Sequence, residues 1–183
     1  VQLYKKVEGG GGGTIETVST PSITPNGGTF FNTQEVTITC ATDGATIYYT
    51  LDGTEPTDAG SVYSEPLTIT STTTVMAKAY KEGFTESDVA SATFTKIEKS
   101  TIAEAKALAT NEYALVEGVV TFIDGRNIYI QDETAGIDLF LNSNTVPSEL
   151  MIGDKVSAYG KKAVYKGLIE LSGINGSDEA QFS

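Results

Sequence analysis

Residues 36–40 of the chain read Val-Thr-Ile-Thr-Cys, with Val36, Ile38 and Cys40 alternating with Thr37 and Thr39. That two-residue period marks a half-buried strand and puts Cys40 on its apolar face. The same texture recurs across residues 20–96. Ile47 and Tyr49 share one face of a segment and Tyr48 takes the other; Val75, Ala77 and Ala79 oppose Met76, Lys78 and Tyr80. Threonine and β-branched residues suit a pleated surface. Short strands separated by turn residues every ~8–12 positions predict a β-sandwich.

Beyond residue 98 the pattern changes. Residues 100–113 are alanine-rich, and Thr101 and Glu104 have the spacing of a capping box, predicting a short linking helix that begins near Thr101. Alternating segments then follow: YALVEGVVTFI, NIYIQD, AGIDLFL, GDKVSAYGKK and GLIELSG. Five strands, with a brief helical piece expected around PSEL between the third and fourth, predict an oligonucleotide/oligosaccharide-binding (OB) barrel. The fold class is therefore all-β: a β-sandwich followed by an OB barrel.

Glycine fills positions 9–13, a composition that behaves as flexible coil. A phosphate-cradling loop would need Gly-Lys-Ser/Thr next, and Thr-Ile-Glu-Thr-Val follows instead. The expected organisation is a tail of a preceding element with its linker at 1–19, a sandwich at 20–97 and the barrel at 98–183. The chain reads as an excerpt from something longer.

Composition narrows the chemistry. Twelve basic and 24 acidic residues leave a formal charge of −12, which repels phosphates and anionic lipid at long range. The single cysteine excludes an internal disulfide and a thiolate-rich metal site. With no histidine, imidazole-based triads and zinc sites are excluded as well. No apolar run approaches the ~20 residues of a membrane-spanning helix. No catalytic residues and no cofactor are expected, and folding is expected to need no metal.

Two resemblances refine this picture. PSITPNGGTF, VTITCATDGATIYYTLDGTEPT and YSEPLTITSTTTVMAKAYKEG, within residues 21–95, resemble the immunoglobulin-like domain of the chitobiase/β-hexosaminidase C-terminal type. The resemblance implies a non-catalytic sandwich appended to secreted bacterial proteins. It also makes Asp43-Gly44 a corner between opposite sheets, where the dipeptide alone would read as a hairpin turn. Residues 101–174, above all IYIQDETAGI and the Gly-Asp before the fourth strand, are similar to OB modules of secreted bacterial nucleases and of surface proteins of gut bacteria.

Candidate sites follow. Asp52, Glu55 and Asp58 lie in one loop and could give a cation some of the six to eight oxygens calcium wants, but turn chemistry accounts for them as well. Cys40 is expected buried and inert. Tyr48, Tyr63 and Tyr80 would make a sugar platform if coplanar, or ordinary cross-strand packing if not. In the barrel, Ile128, Ile130, Ile137, Leu139 and Leu141 should point inward, with Tyr129, Gln131, Asp138 and Phe140 outside on the ligand face. Arg126 falls in the first clasping loop, and Lys161, Lys162, Tyr165 and Lys166 in or beside the second. Aromatics flanked by cations suit single-stranded nucleic acid. Against this stands the charge, net −7 up to residue 98 and −5 from residue 99. The expectation is a non-catalytic accessory segment of a larger secreted or surface-attached bacterial protein. Its partners would be other domains of the same chain. Its barrel would be a ligand module for a glycan, beside a glycosidase, or for single-stranded nucleic acid, beside an extracellular nuclease, unless its lysines are only solvated surface.

Overall fold

The computed structural model describes residues 15–142 and 146–174; residues 1–14 of the expected tail and glycine linker lie outside them, whereas Val18, expected in that tail, is buried and donates its amide to the Thr85 carbonyl at 2.9 Å. Residues 15–28 and 35–94 form one compact unit, and 29–34 with 95–174 group in a second, although the strands that end at Phe30 and Lys96 belong to a sheet of the first.

The first unit is an immunoglobulin-like sandwich. One sheet contains β1 (Ser22–Thr24), β3 (Gln34–Thr39) and β6 (Leu67–Ile69), in the order β1-β3-β6. The other contains β2 (Gly28–Phe30), β4 (Thr46–Thr50), β5 (Ser61–Val62), β7 (Thr73–Tyr80) and β8 (Ala90–Lys96), in the order β2-β8-β7-β4-β5. Consecutive strands β3 and β4 thus belong to opposite sheets, and Asp43-Gly44 turns the corner between them. Alternation decides the core: Val36 and Ile38 of β3, and Val75, Ala77 and Ala79 of β7, are fully buried. Cys40 departs from expectation. It lies just past the end of β3, is only half-buried, and donates its thiol to the Ser19 carbonyl at 3.2 Å.

The second unit is built from β9 (Lys99–Ser100), α1 (Ile102–Ala107), β10 (Tyr113–Asp124), β11 (Asn127–Gln131), β12 (Gly136–Leu141), β13 (Lys155–Tyr165) and β14 (Leu168–Ile174). Its sheet runs β11-β12-β14-β13-β10, and β10 also pairs with β11, so the five long strands close into a barrel. All their pairings are antiparallel except β12 with β14, the strand order of an OB barrel. The inward residues are those the alternation names, Ile128, Ile130, Ile137, Leu139 and Leu141 among them.

Helix α1 is part of the barrel rather than a linker, because Ile102 and Ala105 are fully buried in its core. Thr101 caps it, accepting from the Glu104 amide while the Glu104 carboxylate accepts from the Thr101 amide. At its C-terminal end the Lys162 ammonium donates to the Leu108 carbonyl, a cation at the helix end where carbonyls lack partners. The helical piece expected between the third and fourth strands is instead a turn at 147–150, closed by the Leu150 amide on the Pro147 carbonyl. A barrel end needs one plug, and α1 supplies it from before the first strand.

The two motifs that carry the OB resemblance act as clasps. Asp132 accepts from the amides of Thr134 (2.7 Å), Ala135 (2.9 Å) and Ile102 (2.8 Å) and from the Thr134 hydroxyl (2.6 Å). Burial alone would raise its pKa, but these hydrogen bonds prevail and hold it well below the usual carboxylate range. Gly153 donates to the Val120 carbonyl and Val120 to the Asp154 carbonyl, both at 2.8 Å, where the β10–β11 register shifts between Val120 and Phe122. Small residues then make room inside. A Cβ at Gly160 would meet the Ser172 carbonyl oxygen at 2.8 Å and Ile174 Cγ1 at 2.9 Å.

Two substitutions test these constraints. Asp132→Ala removes four hydrogen bonds and should destabilise the barrel by about 1–3 kcal/mol in a denaturant titration. Gly160→Ala should cost a similar ~1–3 kcal/mol through overpacking against backbone. An unchanged unfolding midpoint in either variant refutes the corresponding contact.

Candidate ligand face of the barrel

The outer face of β11 and β12 follows from the pleat: residues between the inward isoleucines and leucines must point out. Tyr129 on β11 stands opposite Asp138 on β12, and Asn127 opposite Phe140, so Tyr129 and Phe140 are diagonal neighbours on one face. The Arg126 guanidinium lies 4.5 Å from the centre of the Phe140 ring, a cation–π contact at the β10–β11 turn. Gln131 is exposed at the end of β11.

Phe122 joins them, although alternation carried on from Val116 and Val120 would put it inside. The bulge between Val120 and Phe122 reverses the parity and leaves Phe122 54% exposed, its ring 5.9 Å from that of Tyr129. No local sequence signal distinguishes it from an inward residue.

A groove of about 330 Å³ opens beside Tyr129. Tyr129, Gln131 and Asp138 line it, with Thr121 from β10, Lys106 from α1, and Gly167, Leu168 and Ile169 from β14 and the turn before it. Lys166 and Gly167, both at positive φ, form a two-residue hairpin turn between the paired Tyr165 and Leu168. The second clasping loop is therefore a tight turn, with Tyr165 exposed at its edge and the Lys166 ammonium 5.2 Å from that ring.

Lys161 and Lys162 are not in that loop. Both lie within β13, paired with Ser172 and Leu171 of β14. Lys161 lies over the Tyr113 ring at 5.0 Å, and Lys162 is held by the Leu108 carbonyl. Neither lines the groove. The strand extends past them because β14 pairs with β13 up to the two-residue turn.

The least expected member is Asp138. It is on the outer side of β12, as alternation requires, yet only 1% exposed, and neither carboxylate oxygen has a hydrogen-bond partner among the described residues. The reason is its flanks. Tyr129 lies beside it on β11 and Glu170 on the parallel strand β14, itself 8% exposed. Burial first, and the Glu170 charge second, push the Asp138 pKa up to about 6. Burial also raises Glu170, and the Asp138 charge is the main cause that raises Tyr129. Chemically, this part of the face accepts protons or positive charge and repels anions.

The acidic loop of the sandwich has another role. Asp52 accepts from the Thr54 amide (3.0 Å) and hydroxyl (2.6 Å), an Asx turn whose hydrogen bonds lower its pKa. Glu55 pairs with Lys78 at 2.7 Å, as does Glu86; Asp58 is exposed. Lys78, expected outside, is buried beneath this double ion pair, and the two carboxylates raise its pKa. Among the described residues no three carboxylate, cysteine or histidine side chains are grouped to hold a metal ion. Tyr48 and Tyr80 meet edge to face at 5.5 Å, while Tyr63 pairs with Tyr49 at 6.4 Å. The three tyrosines considered for a platform are thus neither coplanar nor together.

Comparisons with known proteins agree with the sandwich. Residues 25–93 match the chitobiase/beta-hexosaminidase C-terminal domain family. No curated protein sequence matches the chain. Among solved structures, the hypothetical protein ygiW from E. coli is 16% identical, with a TM-score of 0.36 over 41% of this chain and 83% of its own. The Ifi202 HINa domain, solved with 20-bp double-stranded DNA, is 12% identical, with a TM-score of 0.38 over 85% of this chain and 88% of its own. The assignment of the second unit rests on its strand order and register.

Stability should report the burial of Asp138. The folded state keeps the proton up to about pH 6, whereas the unfolded chain releases it near the ordinary value of 3.8. Between these values the folded state binds more protons, so stability rises as pH falls through 6. At pH 7.5 Asp138→Asn should be the more stable protein, by on the order of 2 kcal/mol, and most of that difference should vanish by pH 4.5. Parallel melting curves at both pH values would contradict the assignment.

Proposed function

We propose that this chain is a non-catalytic accessory segment of a larger secreted or surface-attached bacterial protein. The sandwich serves as a spacer or adhesive module, a reading supported by the match of residues 25–93 to the C-terminal domain family of chitobiases and β-hexosaminidases. The OB barrel is the ligand module, and its ligand face is the outer side of β11 and β12.

The nature of the ligand turns on the carboxylate at Asp138, buried in the groove beside Tyr129 with Glu170 next to it. A phosphate backbone laid across β11 and β12 would run over the Asp138 carboxylate, with that of Glu170 alongside on β14. Of the cations that suited nucleic acid, Lys161 and Lys162 are engaged away from the groove. A ligand without negative charge, a glycan being the class open from the sequence, fits Tyr129, Phe122 and Gln131 without that repulsion.

Titration of neutral oligosaccharides and single-stranded oligonucleotides at about 50 and 200 mM salt separates the two classes. Glycan affinity should stay flat with salt and fall several-fold in Tyr129→Ala, which removes an aromatic contact. Tight oligonucleotide binding that weakens with salt, and weakens further in Arg126→Ala or Lys166→Ala, would replace this reading with the nucleic-acid one.

A further inference from the structure

We infer that Asp138 and Glu170 form a subsite for an organic cation, an alkylammonium or guanidinium group, in the groove between Tyr129 and the β13–β14 turn. The inference rests on the reading of this face as the ligand face and adds the charge of the group it selects. Three observations carry it. The Asp138 carboxylate is 99% buried by side-chain and backbone neighbours yet has no hydrogen-bond partner among the described residues, and it lines an open groove. A buried carboxylate without a donor is costly, and a ligand N–H supplies the donor it lacks. The second carboxylate, Glu170, is its register neighbour on β14, so the local charge is concentrated and not neutralised.

The walls choose the kind of cation. Tyr129 contributes an aromatic surface, and Leu168 and Ile169 contribute apolar ones, which suit the alkyl stem of an amine or guanidine. A hard metal ion wants more oxygens than this pair offers. The ionisable groups that face Asp138 are Tyr129 from β11 and Glu170 from β14, with Lys106 of α1 on the groove wall. The Lys106 ammonium is held by the Gly136 carbonyl at 3.0 Å and leaves the carboxylates unpaired. The groove, about 330 Å³, admits one such group and not a bulky scaffold.

Amide chemical shifts of the whole chain, titrated with n-butylguanidinium, n-butylammonium, n-butylurea and calcium chloride at pH 7.5 and 5.0, test the subsite. Saturable shifts on β11, β12 and β14 are expected with the two organic cations and not with the neutral urea or calcium. Binding should weaken at pH 5.0, where Asp138 holds a proton. Asp138→Asn should lose about ten- to a hundredfold in affinity and Glu170→Gln less, the scale of a charge-assisted hydrogen bond. Equal binding of urea and guanidinium, wild-type affinity in Asp138→Asn, indifference to pH, or no saturable shift overturns the inference. So does saturation by calcium alone. Oligosaccharide binding that involves Tyr129 and is unchanged in Asp138→Asn overturns the cation subsite and leaves the ligand face in place. If no probe and no oligosaccharide binds, both fall.

Discussion

The double pairing of β10 is the constraint on which the second unit depends. From Tyr113 to Val119 the strand pairs with β13, and from Val119 to Asp124 with β11. One strand can serve two neighbours in this way only if it coils sharply at the change of partner. Gly118 permits the approach, since a Cβ there would lie 3.0 Å from the Gln131 carbonyl oxygen. The bulge after Val120 supplies the bend, and Gly153 and Asp154 satisfy the backbone groups of Val120 that the bulge would strand. Closure fixes the direction of every side chain on β11 and β12, and so places Tyr129 and Asp138 on one groove, with Phe122 of β10 beside Tyr129.

Two acids on this barrel show opposite uses of one side chain. Asp132 is surrounded by donors, and its charge holds the first turn of α1 to the β11–β12 turn. Asp138, six residues on, has no donor within the described structure and lies against Glu170. The first stabilises the fold; the second works against it. Local conflicts of this kind concentrate at functional sites, because a group already satisfied by the protein has nothing left for a ligand.

The sandwich is built on a different compromise. Lys78 occupies an outward position on β7 but is covered, and Glu55 and Glu86 meet its ammonium at 2.7 Å each. Those contacts turn an acidic loop that resembles a cation site into an anchor for the strand beneath it. Asp52 completes the arrangement by closing its own turn on Thr54. Two of the three side chains that could have bound calcium, Asp52 and Glu55, are used to fix the path of the chain.

Much of this was legible in the order of residues. Strand periodicity named the inward isoleucines and leucines, the capping box named the start of α1, strand spacing gave a sandwich and a five-stranded barrel, and the family resemblance made the sandwich immunoglobulin-like. These are local properties, set by the pleat and by hydrogen bonds between near neighbours in the chain. Other features needed the closed barrel. The parity switch that exposes Phe122 depends on a bulge whose partners, Gly153 and Asp154, lie on the far side of two further strands in the sequence. The burial of Asp138 depends on Glu170, brought alongside by a parallel pairing that no local pattern encodes. The sequence places Lys161 and Lys162 only in or beside the second clasping loop, because it does not show that β13 continues to a two-residue turn. Alternation settles which side of a strand a residue faces; what covers that side is decided by strands distant in sequence, and for Asp138 that cover raises its pKa.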